Sequence, residues 1–250
     1  MNTLVLRENR AGIAVLTLSR PEKLNALSKD LIETLEEHVD AIAREAKAIG
    51  LVILRGAGGN FSSGHDMSEV LAQVKAHAKP HHYVEVIDKV ANLPQPVIAA
   101  VQGHCSTGAL ELALAADLIV AAESAQFCDA YARWGLTPIW GLSLRLPHRI
   151  GTSKASEMMF TCRTYSGREA QEMHLANFCY PDEQFEAQLA ALAADILANS
   201  WYSNQVDKRA LLESDGLTLR DAQALSLFKN EGLAPDAPQR VAKFLSSRRR

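Results

Sequence analysis

The chain has 250 residues, of which 48% are hydrophobic and 22% are charged, a composition typical of a globular protein with one or two domains. The 26 Lys and Arg residues against 29 Asp and Glu residues leave a formal net charge of −3, which argues against a dedicated nucleic-acid-binding protein. Polar residues interrupt the apolar stretch over residues 96–122, and residues 1–20 lack the apolar core of a signal peptide. We therefore expect a cytoplasmic protein whose partners are neither membranes nor nucleic acids.

The four cysteines predict free thiols. They stand at positions 105, 128, 162 and 179, without the paired spacing of a zinc site or of a disulfide framework. Cys105 lies in a glycine-containing loop, but no neighbouring base is present to activate it. We expect no metal site.

The N-terminal part of the chain predicts strands and helices in alternation. Alternating apolar residues on both sides of a polar turn at residues 9–12 predict a β-hairpin. Apolar residues at helical spacing predict an amphipathic helix over residues 28–49, with Ser28 as its N-cap and Gly50 beyond its end. The apolar run at residues 51–54 predicts a strand buried on both faces, which leads into a glycine-rich segment.

The same order of helix, strand and loop then repeats along the chain, and this repetition indicates the fold class. The predicted elements are a helix at 83–93, a strand at 97–101, a loop at 103–108, a helix at 109–116 and a strand at 118–121. Alternation of this kind predicts an α/β fold with a largely parallel sheet.

Beyond about residue 167 the pattern predicts helices alone. These cover residues 168–174, 185–200, 202–214, 218–229 and 241–246. We accordingly divide the chain into an α/β core at residues 1–167, which carries the site, and a C-terminal helical region at residues 168–250. Both belong to one domain unit.

Two glycine-bearing loops that follow buried strands are the candidate ligand site, because parallel sheets bind ligands at this edge. They are Phe-Ser-Ser-Gly-His-Asp at residues 61–66 and Gly-His-Cys-Ser-Thr-Gly-Ala-Leu-Glu at residues 103–111. Amide groups at the start of a helix lack partners within the helix, so the two loops together could form an oxyanion hole. A nucleotide-phosphate site is disfavoured because neither loop has a phosphate-binding motif.

Glu111 is the only carboxylate in an apolar helix. Burial there is unfavourable unless the carboxylate has partners, and it would raise the pKa of Glu111 to suit proton transfer near neutral pH. Glu111 follows Gly108 by one helical turn, so its side chain can point back toward the loop. A structural role, with hydrogen bonds to an arginine or to backbone amides, fits equally well. Asp66 could cap a following helix, and Asp129 and Tyr131 are further polar candidates.

Several motifs, in order along the whole chain, resemble the crotonase superfamily, the enoyl-CoA hydratase/isomerase family. They are Arg-Pro-Glu-Lys-Leu-Asn-Ala-Leu at residues 20–27, the loop at 61–66, residues 108–111 with Ala-Asp at 116–117, Ala-Gln-Phe at 125–127, Trp-Gly-Leu-Thr-Pro at 134–138 and Phe-Leu at 244–245. The resemblance implies crotonase-like repeated ββα units with a C-terminal helical trimerisation region. It also implies a homotrimer or a dimer of trimers.

The resemblance further implies a site for an acyl-CoA thioester. The thioester oxygen would bind the backbone amides of His65 and Gly108, in agreement with the oxyanion hole expected from the loops. Reaction through an enolate needs no cofactor apart from the coenzyme A of the substrate. Contacts to coenzyme A are implied at Glu22, Lys23, Leu24, Ser63, His65, Asp66 and Met67.

One departure from the family pattern affects the expected reaction. Hydratases of the family use two glutamates, of which Glu111 matches the first and Tyr131 occupies the position of the second. A phenol is a poor base, although it can orient water, and Asp129 could supply the missing carboxylate. We expect a hydro-lyase that hydrates a 2-enoyl-CoA. The alternatives are decarboxylation, thioester hydrolysis, or acyl-CoA binding without turnover. Decarboxylase-like members of the family also have Gly-His-Asp in the first loop.

Overall fold

The computed structural model describes residues 4–76, 81–229 and 232–247. In this part of the chain, a six-stranded sheet has the spatial order β1-β2-β3-β4-β6-β9, and β5, β7 and β8 form a second, smaller sheet. The strands are β1 (Val5–Arg10), β2 (Ile13–Leu18), β3 (Leu51–Gly56), β4 (Val97–Val101), β5 (His104–Ser106), β6 (Leu118–Ala122), β7 (Gln126–Cys128), β8 (Thr164–Ser166) and β9 (Phe178–Tyr180). Only β1 runs antiparallel to its neighbour in the large sheet, so the predicted α/β fold with a largely parallel sheet is confirmed.

Helices cover both faces of the large sheet. The helices are α1 (Lys29–Arg44), α2 (Met67–Ala76), α3 (His81–Ala91), α4 (Gly108–Leu114), α5 (Leu142–Ile150), α6 (Thr152–Thr161), α7 (Gly167–Glu172), α8 (Phe185–Ala198), α9 (Trp201–Ser214), α10 (Leu219–Phe228) and α11 (Ala237–Ser247). Side chains of α1, α3 and α4 pack on one face, and α8 packs on the other. None of these helices, within the residues described, has the length and apolarity needed to cross a lipid bilayer.

The sequence pattern locates the N-terminal elements well. The hairpin is present, and the backbone N–H of Leu31 donates to Oγ of Ser28, which confirms Ser28 as the N-cap of α1. The helix ends at Arg44 instead of continuing to residue 49, because residues 45–48 form a turn before the buried Ile49. All four cysteines are free thiols, and burial raises the pKa of the Cys105 thiol, which keeps it protonated and unreactive.

The prediction that strands stop at about residue 167 is wrong. Strand β9 pairs in parallel with β6, with Val120 opposite Phe178, and completes the large sheet. The five predicted C-terminal helices are present as α7 to α11, and α5 and α6 are two helices that the sequence pattern did not predict. The C-terminal region thus contributes a strand and the helix α8 to the packing around the sheet.

Candidate active site

The two glycine-bearing loops leave neighbouring parallel strands and meet at one edge of the sheet. Ser62 of the first loop forms an isolated β-bridge with Cys105 of the second, and Leu27 forms another with His65. Gly64 has a φ of +96°, and a Cβ built there would lie 2.2 Å from Oγ1 of Thr107. Glycine at this position therefore permits both the backbone conformation and the close approach of the two loops.

The backbone amides of His65 and Gly108 are available as donors. Two hydrogen bonds form the Leu27–His65 bridge. The N–H of Leu27 donates to the carbonyl of Gly64 at 2.8 Å, and the N–H of Asp66 donates to the carbonyl of Leu27 at 3.1 Å. The N–H of His65 takes no part in this bridge, and that of Gly108 begins α4, where no helical partner exists. Neither amide has an acceptor among the described residues. Both loops thus present a free amide, as an oxyanion hole requires.

Glu111 lies on α4 with its side chain completely buried, and three donors hold its carboxylate. Oε1 accepts hydrogen bonds from the backbone N–H groups of Trp140 at 2.9 Å and Leu142 at 3.0 Å. Oε2 accepts one from the phenol of Tyr131 at 2.5 Å. A carboxylate has about four lone-pair sites, so one on Oε2 remains for a proton. The sequence left two roles open for Glu111, proton transfer and a structural role with hydrogen bonds to an arginine or to backbone amides. The hydrogen bonds to backbone amides are present.

Burial raises the pKa values of both members of the Glu111–Tyr131 pair. Desolvation raises the pKa of the Glu111 carboxyl, and the Tyr131 phenol and the two backbone donors counteract that effect. Desolvation and the adjacent Glu111 carboxylate raise the pKa of the Tyr131 phenol. Tyr131 is therefore a neutral hydrogen-bond donor to Glu111 and is unsuited to act as a base.

Asp129 is buried close to this pair, and its Oδ1 accepts a hydrogen bond of 3.0 Å from the backbone N–H of Tyr131. Desolvation raises the pKa of Asp129, and its charge contributes to the raised pKa of Glu111. One oxygen of Asp129 thus fixes the turn that carries Tyr131. Among the described residues no hydrogen bond is made to the other oxygen, Oδ2.

The His65 side chain belongs to an aromatic cluster with Tyr83 and Trp140. The ring centroids lie 5.2 Å apart for His65–Tyr83, 4.9 Å for His65–Trp140 and 5.1 Å for Tyr83–Trp140. The Trp140 ring also contacts Gly108, where an added Cβ would be 2.3 Å from Cζ3 of the indole. Burial lowers the pKa of His65 from 6.5 to about 4, so its imidazole is neutral at pH 7.

The residues expected to contact coenzyme A come from two segments that lie side by side. The N–H of Ser63 donates to the carbonyl of Leu24 at 2.9 Å, which joins the segment at residues 20–27 to the first loop. Glu22, Lys23, Leu24 and Met67 are exposed, whereas Ser63, His65 and Asp66 are partly buried.

Asp66 and Asn25 have structural roles in this region. Asp66 accepts hydrogen bonds from Arg20 at 3.1 Å through Oδ2 and from the backbone N–H of Ser68 through Oδ1. Asn25, which is not among the predicted site residues, is fully buried and donates to the carbonyls of Ala57 and Asn60. These bonds hold the segment at residues 20–27 against both the first loop and the turn after β3.

Comparison with known proteins agrees with this geometry. Residues 8–227 match the sequence profile described as enoyl-CoA hydratase/isomerase. The chain belongs to the enoyl-CoA hydratase/isomerase family. A probable enoyl-CoA hydratase from Mycobacterium bovis is 36% identical over 265 aligned positions, which cover 97% of this chain and 93% of that protein.

Solved structures of the enoyl-CoA hydratase/isomerase family have the same fold. An enoyl-CoA hydratase from Bacillus anthracis superposes with a TM-score of 0.89 at 30% identity, covering 98% of this chain and 96% of the other. A putative enoyl-CoA hydratase from Thermobifida fusca, solved in complex with acetoacetyl-CoA, gives a TM-score of 0.76 at 26% identity, with 91% and 96% covered. The predicted membership of this family and the crotonase-like fold are confirmed.

Two groups of this site were not predicted from the sequence. The backbone amides of Trp140 and Leu142 hold Glu111, and the Trp140 indole packs between Gly108 and His65. Trp140 stands two residues after the end of the motif at residues 134–138. A large aromatic residue in a glycine- and proline-containing loop is the signal that could have indicated its indole.

Proposed function

We propose that this protein, an acyl-CoA-processing enzyme of the enoyl-CoA hydratase/isomerase family, hydrates a 2-enoyl-CoA. The observation that carries the proposal is the position of Glu111, a buried carboxylate one helical turn from the free amide of Gly108. A base at this place can act on the carbon atoms next to a thioester carbonyl that the amide holds. The acyl-CoA class of substrate is supported by the relative from Thermobifida fusca, which binds acetoacetyl-CoA.

In the proposed reaction, Oε2 of Glu111 takes a proton from water while the water oxygen bonds to C3 of the enoyl group. The electron pair of the double bond moves onto the thioester oxygen as an enolate. The N–H groups of His65 and Gly108 would stabilise that negative charge, a contribution of about 3 kcal/mol per donor in comparable sites. Protonated Glu111 then returns the proton to C2, so that one water is added across the double bond and Glu111 is regenerated.

Tyr131 serves in this scheme as a positioning residue. Its phenol donates to the same oxygen of Glu111 that acts as the base, and the pKa of the phenol is raised. It therefore stabilises the carboxylate form and fixes its orientation, in place of the second glutamate of the family pattern. Asp129 is the second carboxylate candidate, because it is buried and near Glu111.

Decarboxylation and thioester hydrolysis are the second candidate functions. The observation in their favour is that the phenol of Tyr131, a donor, stands where the family pattern has a second carboxylate. Loss of CO₂ generates the enolate without a paired base, so the two free amides would suffice. A protein that binds acyl-CoA without turnover would have the same amides and would lack activity in every assay.

We also propose that the chain forms a homotrimer or a dimer of trimers. The support is the apolar surface of the C-terminal region, where Leu219, Phe228 and Leu233 are each more than 85% exposed. Exposed apolar side chains concentrated in one region of a chain are typical of an interaction surface. Light scattering coupled to gel filtration measures the assembly. A cytoplasmic location stays a prediction, in keeping with four free cysteines.

The test is incubation of the protein with crotonyl-CoA in ¹⁸O-labelled water, followed by mass spectrometry of the product. Labelled 3-hydroxybutyryl-CoA from the wild type, with turnover lowered about 100- to 10,000-fold in Glu111→Gln, is the expected result. Asp129→Asn is assayed in parallel, and unchanged turnover would exclude Asp129 as the second carboxylate. Turnover of malonyl-CoA, or release of free coenzyme A, without hydration would instead establish the second candidates.

A further inference from the structure

The backbone at residues 140–142 wraps around one oxygen of Glu111. The N–H groups of Trp140 and Leu142 both donate to Oε1, at 2.9 and 3.0 Å. Gly141 between them adopts the left-handed conformation, with a φ of +108° and a ψ of 6°. Successive amides in such a turn form a concavity that binds anions. We call residues 140–142 the Glu111 cradle, since their amides hold the carboxylate through Oε1.

The guanidinium of Arg145 holds the peptide unit in the middle of the Glu111 cradle. Its Nη1 donates to the carbonyl of Trp140 at 3.0 Å. A Cβ built at Gly141 would lie 2.4 Å from the same Nη1, so the guanidinium lies directly against the turn. The planar peptide between Trp140 and Gly141 connects the two donating residues, so its orientation sets the direction of the second amide relative to the first. Arg145 thus acts on Glu111 through the backbone.

Asp88 of α3 fixes the guanidinium in turn. Nη2 of Arg145 donates to Oδ1 of Asp88 at 2.5 Å and forms an ion pair with it. A guanidinium is a planar fork of donors, so bonds from two of its nitrogen atoms to different acceptors fix both its position and its plane. Because the Asp88 side chain is 55% exposed, the pair contributes little to stability, and its main effect is on the direction of the guanidinium.

The Glu111 cradle determines which oxygen of the carboxylate exchanges protons. Oε1 is bound by two amides, whereas Oε2 has the Tyr131 phenol and a remaining lone-pair site. The two amides also stabilise the ionised carboxylate, and they counteract the rise in the pKa of Glu111 that burial causes. If the cradle opened, the carboxylate would lose both its fixed orientation and part of this stabilisation.

We propose that Arg145, fixed by Asp88, is a positioning residue that keeps the cradle closed on Oε1 of Glu111 and so leaves Oε2 to exchange protons. The role of Oε2 as the base rests on the proposed function, whereas the closure of the cradle rests on its hydrogen bonds. Arg145 contacts no substrate group in the proposed reaction, in which the thioester oxygen binds the amides of His65 and Gly108.

The first measurement is the pH dependence of hydration by Arg145→Met, which keeps an apolar side chain and removes both donors. We expect kcat to fall about 10- to 100-fold, because a displaced base reacts slowly. KM should stay within about threefold of the wild-type value, since the amides that bind the thioester are unchanged. The acid limb of kcat/KM should move to higher pH by about one unit, because the Glu111 carboxylate loses amide donors.

Two further variants separate the charge of Arg145 from its geometry. Arg145→Lys keeps the positive charge, but an ammonium group lacks the planar fork that holds the two acceptors. Asp88→Ala removes one acceptor and leaves the bond to the carbonyl of Trp140. We expect both variants to move the acid limb in the same direction as Arg145→Met and by a smaller amount. Arg145→Lys also maintains the test if Arg145→Met does not fold.

Arg149→Met is the matched control, because Arg149 lies one turn further along α5. Its guanidinium also donates to a backbone carbonyl, that of Leu175 at 2.9 Å, and to Oδ1 of Asn177 at 2.7 Å. None of its hydrogen bonds to the described residues reaches the Glu111 cradle. This substitution should lower the free energy of unfolding and leave the acid limb where the wild type has it.

A titration without substrate separates this inference from the proposed function. Infrared difference spectra recorded against pH follow the carboxyl band of Glu111, which Glu111→Gln identifies by its absence. We expect the midpoint of this titration to be higher in Arg145→Met and Arg145→Lys than in the wild type and Arg149→Met. An unmoved midpoint in both Arg145 variants, or an equal shift in Arg149→Met, would overturn the positioning role. A shifted midpoint in a protein that hydrates no enoyl-CoA would support the action of Arg145 on the carboxylate and overturn the proposed function alone.

Discussion

The phenol of Tyr131 donates a hydrogen bond of 2.5 Å to Oε2 of Glu111, and this bond joins the turn that follows β7 to helix α4. It places a neutral donor at the oxygen that has the remaining lone pair. The pair therefore behaves as one acid–base unit in which Glu111 exchanges the proton and Tyr131 adjusts its pKa.

Removing the phenol hydroxyl should shift the pH dependence of activity. Glu111 must be ionised to act as a base, so kcat/KM falls as the pH drops through its pKa, which burial already raises. The Tyr131→Phe variant loses a donor that stabilises the carboxylate, and the acid limb of its profile should move to higher pH. A profile with its acid limb unmoved would contradict the role assigned to Tyr131.

The stability of the protein should depend on pH through His65. Burial lowers its pKa from 6.5 to about 4, so the unfolded chain binds a proton at a pH where the folded chain does not. The contribution of His65 to the free energy of unfolding is thus complete above about pH 6.5 and is lost as the pH falls toward 4. At pH 5 the loss amounts to about 2 kcal/mol. Chemical unfolding at pH 7 and pH 5 should show a smaller loss for His65→Phe than for the wild type. Equal losses would show that His65 is not the group responsible.

The close contact of the two loops predicts a large effect at Gly64. An alanine Cβ there would lie 2.2 Å from Oγ1 of Thr107 and 2.5 Å from the backbone oxygen of Ser106, at a φ of +96°. We expect Gly64→Ala to lower the free energy of unfolding by about 2–4 kcal/mol. Gly59→Ala is the control, because its φ is +74° with no atom within 4 Å of the added Cβ, and should lose only about 1 kcal/mol. Urea unfolding curves that coincide for the two variants would contradict this explanation.

An ion pair between a buried lysine and a partly exposed aspartate attaches α9 to the sheet. Nζ of Lys208 lies 2.8 Å from Oδ2 of Asp117 and 3.0 Å from the carbonyl of Gln95, with the lysine side chain 5% exposed. Lys208→Met leaves both acceptors without this donor and should lower the free energy of unfolding by about 1–3 kcal/mol.

The control for this substitution is Lys29→Met, since the Lys29–Glu33 pair is 66% and 47% exposed. Exposed pairs contribute at most about 1 kcal/mol, so this variant should be nearly as stable as the wild type. Thermal unfolding of the two variants side by side measures the difference. A smaller shift in Lys208→Met than in Lys29→Met would contradict the structural role of Lys208.

The elements that the sequence predicted correctly are those determined by local pattern. Strands β3 and β4 are continuous apolar runs buried on both faces, and Ser28 caps α1 as its position before a periodic segment indicates. Glu111 was identified because a lone carboxylate in an apolar helix is conspicuous in sequence.

The features that were missed depend on distant contacts or on the backbone. Strand β9 has three residues, and its conformation is determined by pairing with β6, which no local pattern records. Helix α5 contains Pro147, a residue that normally indicates the end of a helix. The donors to Glu111 are main-chain amides, which every non-proline residue possesses, so no side-chain pattern marks the N–H groups of Trp140 and Leu142 as its donors.

The late position of β9 in the chain has a consequence during synthesis. Until residues 178–180 have left the ribosome, strand β6 is the outer strand of an incomplete sheet, and its free backbone groups at Leu118–Ala122 face outward. An unpaired apolar edge is a template for strand pairing between chains. The nascent chain is therefore most prone to aggregate in the interval between translation of β6 and translation of β9, when a ribosome-associated chaperone would protect it.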